Sequence, residues 1–150
     1  MERRGAAGAG ARGGPGGGRR HLGLQDRYRR LLVDCPGAAA ALVERGLAMV
    51  YAVDRPADPR LLALQREAQR AGRGMWARGV PPELPTSLHS VEEPGGAPAY
   101  DRVVDTATGA AARRRRGGAY GVCEVVCVGA GAARACMTYV PFERRYRHRP

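Results

Sequence analysis

The sequence contains no lysine, no asparagine and no isoleucine, whereas arginine, alanine, glycine and proline are abundant. These absences are typical of the codon usage of a GC-rich genome. The formal net charge is +11, and arginine alone supplies the positive charge. A balance this basic favours a polyanionic partner such as nucleic acid or anionic lipid, with codon bias as the competing explanation.

The sequence also lacks a long apolar run and has few aromatic residues. No stretch reaches the roughly 18 apolar residues of a transmembrane helix, so we predict no membrane partner. Arg3 and Arg4 are not followed by an apolar segment, and no secretory signal is visible. Aromatic residues make up 5% of the chain, and many of its 22 glycines lie in the first twenty residues. The part that folds is therefore expected to be shorter than the chain.

The composition divides the chain into four segments. Residues 1–20 are a Gly/Ala/Arg stretch that cannot bury enough apolar surface to offset its ordering entropy, so we predict disorder there. Its alternative roles are an arginine-glycine tail that follows phosphates and a mis-annotated start. Residues 21–78 are predicted to fold, 79–86 to be a linker, and 87–150 to be a β-rich extension with cysteines.

Within residues 21–78 the pattern predicts two strands followed by two helices. Residues 21–34 are expected to form a strand, a turn and a short strand, and Pro36-Gly37 to break the chain. Residues 38–50 are expected to form a helix that ends near Gly46. Its apolar side is predicted to consist of Leu42, Val43 and Leu47.

The clearest helix is predicted over residues 59–72, with Pro59 in its first turn. One side is expected to be apolar and the other to face solvent. The apolar side is predicted to contain Leu61, Leu62, Leu64 and Ala68, and the solvent side Arg60, Gln65, Arg66, Gln69 and Arg70. Met75 and Trp76 are expected to follow as an apolar plug, with Trp76 in the core.

The extension contains two β-like stretches, YGVCEVVCV and ACMTYVPF, whose alternation predicts a hairpin. Across such a hairpin Cys136 can lie opposite Cys127, and a disulfide there would suit an exported protein. A zinc site with three cysteines and His89 or His148 is one alternative, and ordinary buried thiols are another. His89 is expected to be a surface or hydrogen-bonded histidine, with catalytic base as the alternative.

Three segments carry a resemblance to a known family. DRYRRLL (26–32), ALVERGLAMVY (41–51) and LLALQREAQRAGRGMW (61–76) together resemble the second half of the staphylococcal nuclease (thermonuclease) family. The extension is similar to the tails of some bacterial members. The resemblance implies an α+β fold, with a partial OB-type β-barrel, packed helices and a small β-rich C-terminal extension.

The resemblance also implies chemistry. Members of the family hydrolyse DNA and RNA phosphodiesters with Ca²⁺ held by carboxylates, and arginines stabilise the charge on the phosphorane. Arg30 stands where the family motif has its catalytic arginine. A planar guanidinium suits that role because it matches phosphate oxygens with two hydrogen bonds. Tyr28 matches a tyrosine near the nucleotide, and Tyr51 lies close to another aromatic position. Asp26 is expected to fix the turn.

The resemblance fails where the family carries its metal-binding carboxylates. The corresponding region would be residues 1–25, whose only carboxylate is Glu2, so no calcium site can be assembled from it. Arg29 replaces the glycine that usually precedes the catalytic arginine, and Glu44 replaces a helix arginine. We therefore expect a truncated or catalytically impaired family member.

The run Arg113–Arg116 is predicted to bind nucleic acid through its phosphates, with a solvated loop as the alternative. Three functions follow for the whole chain. The first is a calcium-dependent nuclease, impaired here. The second is a non-catalytic nucleic-acid-binding relative, and the third is an extracellular interaction module. The resemblance implies secretion or a periplasmic location, whereas the oligomeric state and the preference for DNA or RNA are left open.

Overall fold

The computed structural model describes residues 20–25 and 29–145. Asp26 and Tyr28, which the sequence assigns to the turn and to nucleotide binding, lie outside the described residues, as does His148 of the zinc alternative. The chain divides into two compact units, Met1–Ala39 and Ala40–Pro150.

The first unit contains an antiparallel pair of strands, β1 (Arg20–Gln25) and β2 (Leu31–Asp34). The pairing is irregular between His21 and Gln25. This arrangement confirms the two predicted strands. Arg29, in the connection, has a φ of 65°. A side chain is rarely tolerated in that left-handed region, which explains why glycine is the usual residue there in the family pattern.

Helix α1 (Pro36–Glu44) begins at the proline that was expected to break the chain. Proline suits the first helical turn, because its fixed φ is helical and its missing N–H would have no partner there. The helix ends at Glu44, six residues before the predicted residue 50, and Gly46, the expected glycine at its C-terminus, follows with a φ of 66°. The predicted apolar side is wrong for two of its three residues. Val43 is buried, whereas 45% of Leu42 and 61% of Leu47 is exposed.

Gly46 marks a close approach of two backbone segments. A Cβ atom at Gly46 would lie 2.2 Å from the carbonyl oxygen of Arg73. The N–H of Met75 donates to the Gly46 carbonyl at 2.9 Å. This contact joins the end of α1 to the turn that follows the second helix. Only glycine fits there, since the space and the left-handed φ both exclude a side chain.

Helix α2 (Pro59–Arg70) confirms the second predicted helix. Asp58 caps its N-terminus by accepting from the N–H of Arg60 at 2.8 Å. Gln65 was expected on the solvent side but is buried, and it accepts from the N–H of Val50 and donates to the Thr106 carbonyl, both at 2.7 Å. A glutamine can satisfy two buried backbone groups in this way, which an aliphatic residue cannot.

A short 3-10 turn, Gly74–Trp76, follows α2 and anchors it to the core. Trp76 is 1% exposed, which confirms its predicted place in the core. Met75 is 45% exposed, so the expected apolar plug consists of the tryptophan alone.

A three-stranded antiparallel sheet follows, with β4 (Tyr100–Asp105) between β3 (Glu83–His89) and β5 (Ala111–Arg115). Strand β3 starts at Glu83, so the second half of the expected linker is part of this sheet. Val103 and Val104 of the central strand are buried. Thr106 fixes the turn after β4, because its hydroxyl donates to the Pro81 carbonyl at 2.6 Å.

The predicted hairpin is confirmed as β6 (Val125–Val128) and β7 (Ala135–Thr138). Cys127 lies directly opposite Cys136, and a disulfide joins them. The disulfide prediction is therefore confirmed, and the alternative of a three-cysteine zinc site is wrong, because two of its ligands are bonded to each other. Cys35 and Cys123 are free thiols.

A small core lies between the hairpin and the sheet of the second unit. Its buried members are Leu88, Tyr120 and Tyr139, and the two tyrosine rings stack with centroids 4.8 Å apart. A one-turn helix, α3 (Phe142–Arg145), closes the described chain. The helices and antiparallel sheets agree with the expected fold class, but the described strands form no closed barrel. Within residues 20–25 and 29–145, no helix has the length and hydropathy needed to cross a bilayer.

Candidate functional site

Arg30, the predicted catalytic arginine, lies immediately before β2 and is exposed. Its position is set by the preceding residue, since the left-handed φ of Arg29 turns the chain into the strand. Arg30 belongs to the first unit and Tyr51 to the second. Tyr51 is 43% exposed, and the neighbouring Ala52 donates its N–H to the Gly109 carbonyl at 2.8 Å. Both side chains thus have solvent access, as a substrate contact requires.

The arginine run Arg113–Arg116 was given a solvated loop as its alternative structure, but three of its four residues form strand β5. Successive side chains of a strand point to opposite faces. Arg114 forms an ion pair with Glu83 at 2.5 Å, and Arg116 with Glu124. The guanidinium of Arg116 also covers the Tyr120 ring, 4.3 Å from its centroid. The run is therefore divided, and its even-numbered members already have partners within the protein.

The odd-numbered arginines lie on the other face of the sheet. In the register of the two strands, Arg113 lies directly opposite Arg102 of β4, and Arg115 lies opposite Tyr100. Residues directly opposite in an antiparallel pair share a face. Tyr100 stacks on His89 of β3 with ring centroids 4.5 Å apart, and the Arg113 guanidinium lies 5.1 Å from the Tyr100 centroid. Three strands thus contribute planar or cationic groups to one surface.

We call this surface the arginine face. It consists of the side chains of Ser87, His89, Tyr100, Arg102, Arg113 and Arg115. Sequence reasoning found Arg113 and Arg115 but missed Tyr100 and Arg102. The signal was present as two alternating patterns, Tyr-x-Arg at 100–102 and Arg-x-Arg at 113–115, which become one surface only after the strands pair.

His89 is held on this face by two hydrogen bonds. Its Nδ1 lies 2.8 Å from a carboxylate oxygen of Glu93, and its Nε2 lies 3.0 Å from the Ser87 hydroxyl. Arg145 pairs with the other oxygen of Glu93 at 2.8 Å. Both ring nitrogens of His89 therefore have partners, which confirms the hydrogen-bonded histidine of the sequence analysis and orients its ring against Tyr100.

Arg30 lies inside a segment that matches a known protein family. Residues 19–78 match the family model for staphylococcal nuclease homologues. The match begins just before β1 and ends just after Trp76, so it includes Arg30, α1 and α2. Sheet β3–β5 and hairpin β6–β7 lie beyond it. A comparison with curated proteins finds no match, and a comparison with solved structures finds none.

The nuclease homologue family is associated with calcium, which needs several oxygen ligands. Among the described residues, no three His, Cys, Asp or Glu side chains are grouped so that they could hold a metal ion. The residues described therefore do not fit a calcium site. Calcium dependence remains an expectation from the family.

The carboxylates of the second unit have structural partners instead. Hydrogen bonds from Thr108 hold the pKa of Asp105 below its usual value, and the backbone N–H of Gly121, followed by Arg116, lowers the pKa of Glu124. Hydrogen bonds from Ser90 and Tyr139 lower the pKa of Glu92. These groups stay ionised near neutral pH, where they tie turns and strands together.

Asp101 is the exception. It lies on β4 with its side chain opposite Arg114, and burial raises its pKa in spite of the attraction of Arg116 and Arg114. One of its carboxylate oxygens is buried without a hydrogen-bond partner among the described residues. Asp101 lies on the opposite side of the sheet from the arginine face, so its negative charge faces away from that surface.

Proposed function

We propose that this protein is a nucleic-acid-binding relative of the staphylococcal nucleases whose calcium-dependent hydrolysis of DNA or RNA is impaired. The observation that carries the proposal is the family match over residues 19–78 together with the exposed Arg30 inside it. The net charge of +11 supports a polyanionic ligand. The proposal includes the partial OB-type β-barrel that the family resemblance implies.

In this proposal Arg30 contacts a phosphate of the bound strand. Its planar guanidinium donates two parallel hydrogen bonds to phosphate oxygens and stabilises charge that develops during cleavage. Tyr28 and Tyr51 contact the nucleotide, where a ring stacks on a base or a hydroxyl donates to a phosphate. The run Arg113–Arg116 supplies further positive charge.

Hydrolysis needs more than one arginine. A water must be activated and the pentacoordinate phosphorus stabilised from several sides, and a key donor contributes about 3–4 kcal/mol to that stabilisation. The described residues include no grouping suited to calcium. We therefore expect Arg30 to support binding of nucleic acid and, at most, slow cleavage.

A nuclease assay tests this function. The full chain, Arg30→Ala and the control Arg78→Ala are incubated with single-stranded DNA and with RNA, in calcium and in chelator. We expect cleavage close to background for all three proteins, and binding of the oligonucleotide that is weaker only for Arg30→Ala. Fast calcium-dependent cleavage that Arg30→Ala abolishes would contradict impairment and establish an active nuclease. Absence of any binding would reject the nucleic-acid function.

One observation favours a second function, an extracellular interaction module. The disulfide between Cys127 and Cys136 suits an oxidising location, either secreted or periplasmic. Val122, Val125 and Val140, in or near the hairpin, are 60%, 58% and 43% exposed. Binding to a protein partner that does not weaken with salt would support this alternative.

A further inference from the structure

We infer that the arginine face of sheet β3–β5 is a binding site for single-stranded nucleic acid. The site lies outside the segment that matches the nuclease homologues. The inference rests on the proposed function insofar as the ligand is nucleic acid. The arginine face is a second contact region for the same ligand, in addition to the region around Arg30.

The three arginines of this face carry positive charge without an ion-paired carboxylate among the described residues. Arg102 lies directly opposite Arg113, and Arg115 is the next residue on the same side of β5. Like charges that face each other across two strands destabilise a sheet. In the described part of the chain, none of these three arginines forms an ion pair with a carboxylate, in contrast to Arg114 and Arg116. A bound phosphate would relieve this repulsion.

The arginines are placed to follow a phosphate backbone. Opposite residues in an antiparallel pair have Cβ atoms about 5 Å apart, and alternate residues along a strand are about 7 Å apart. Arg102, Arg113 and Arg115 thus form a compact cationic triangle. Arg113 and Arg115 are exposed and Arg102 is half-buried, so long side chains reach outward from a fixed base.

The planar groups beside the triangle favour a single strand over a duplex. His89, Tyr100 and the Arg113 guanidinium form a row across three strands. Aromatic and guanidinium planes stack on bases, and a single strand exposes its bases whereas a duplex covers them. The hydrogen bonds of His89 to Glu93 and Ser87 keep this row in place without a ligand. The site is therefore preorganised.

The arginine face is open at the end of strand β5. Gly117 and Gly118 follow directly after the arginine run, and a Cβ atom at either position would meet no other atom within 4 Å. A nucleic-acid strand can therefore continue past Arg115 without meeting a side chain at these two positions. The arrangement suits a chain-like ligand better than a compact anion.

The test is equilibrium binding of a fluorescent oligothymidine to the full chain, in chelator, at several salt concentrations. The test variant is the triple substitution Arg102→Gln, Arg113→Gln and Arg115→Gln. The control is Arg60→Gln, Arg66→Gln and Arg70→Gln on helix α2, which removes the same charge elsewhere. Circular dichroism and thermal unfolding establish that both triple variants are folded.

For single strands each lost phosphate contact lowers the salt slope by about 0.7, which corresponds to roughly fivefold in affinity near 0.1 M salt. The face variant is therefore expected to bind about a hundredfold more weakly, with a salt slope lower by about 2. The control should change affinity less than about threefold. Equal losses in the two variants would reduce the effect to net charge and would overturn the inference.

A second variant, Tyr100→Leu, separates stacking from charge. It keeps apolar volume on the sheet but removes the ring against which His89 and the Arg113 guanidinium stack, and we expect binding to weaken by about fivefold without a change in salt slope. The loss should disappear with an abasic oligonucleotide. An equal loss for the abasic strand would exclude base stacking on this face.

The outcomes also separate this inference from the proposed function. If Arg30→Ala weakens binding and the face variant does not, the inference fails and the proposed function stands. If the face variant weakens binding while Arg30→Ala has no effect on binding or cleavage, the nuclease segment loses its proposed role and the arginine face remains. Binding of heparin and oligothymidine with equal affinity and equal dependence on Tyr100 would reject specificity for nucleic acid.

Discussion

Two runs of neighbouring arginines, Arg29–Arg30 and Arg113–Arg116, differ in the backbone that carries them. In the nuclease homologue segment, Arg29 and Arg30 lie just before strand β2, and Arg29 has a φ of 65°. In the sheet, Arg113–Arg116 follow a strand whose alternation divides them between two faces. Before β2, the backbone conformation of a single residue sets the direction of the chain. In β5, side chains alternate between the two faces of the sheet, so the position of an arginine in the run decides whether it forms an ion pair.

The largest expected effect concerns the close backbone approach between Gly46, at the end of α1, and the turn after α2. Gly46→Ala would place a Cβ atom 2.2 Å from the Arg73 carbonyl oxygen at a left-handed φ. We expect a loss of about 3 kcal/mol in the free energy of unfolding. The matched control is Gly118→Ala beside the arginine run, where the added Cβ atom would meet no atom within 4 Å apart from its chain neighbours. Similar midpoints in urea for both variants would contradict this prediction.

The second prediction concerns backbone strain at Arg29. Arg29→Gly should raise the free energy of unfolding by about 1 kcal/mol, because glycine adopts a positive φ without the Cβ conflict of arginine. The adjacent Arg30→Gly serves as the control, because Arg30 is not among the residues with positive φ. Denaturant unfolding compares the two, and a stabilisation by both substitutions would point to charge removal instead of backbone strain.

A smaller effect tests the alternation of the strand. Arg114→Gln should lower the free energy of unfolding by about 0.5 kcal/mol through loss of its ion pair with Glu83, which is partly exposed and screened. Arg115→Gln should leave stability unchanged within about 0.3 kcal/mol. The difference between the two variants should shrink at high salt. The reverse order of stabilities would contradict the division of the run between two faces.

The smallest effect concerns pH. Because the folded pKa of Glu124 lies below its usual value of 4.5, its contacts contribute stability above about pH 4.5, and this contribution is lost as the pH falls through the lowered pKa. Glu124→Gln should therefore be less stable than the unsubstituted chain at neutral pH and equal to it in strong acid. Thermal unfolding across this pH range measures the difference, and a gap that persists in strong acid would contradict the assignment.

Much of the fold was predictable because it depends on local signals. The periodicity around Leu61 and Leu64 with Pro59 in the first turn predicted α2, and the alternation about Cys127 predicted the hairpin and its disulfide. The local pattern failed at Gln65, since hydropathy placed it in solvent. Its two buried partners are separated from it by 15 and 41 residues, and no local pattern reveals them.

The sequence by itself determined the family segment, the position of Arg30 and the positive charge, because motifs and composition are properties of the chain order. The tertiary structure decided which arginines are available to a ligand. Arg102 and Tyr100 precede the run by more than ten residues, and only strand pairing places them beside Arg113 and Arg115. The physical reason is that a shared sheet face depends on register, which is set by the hydrogen bonds between strands.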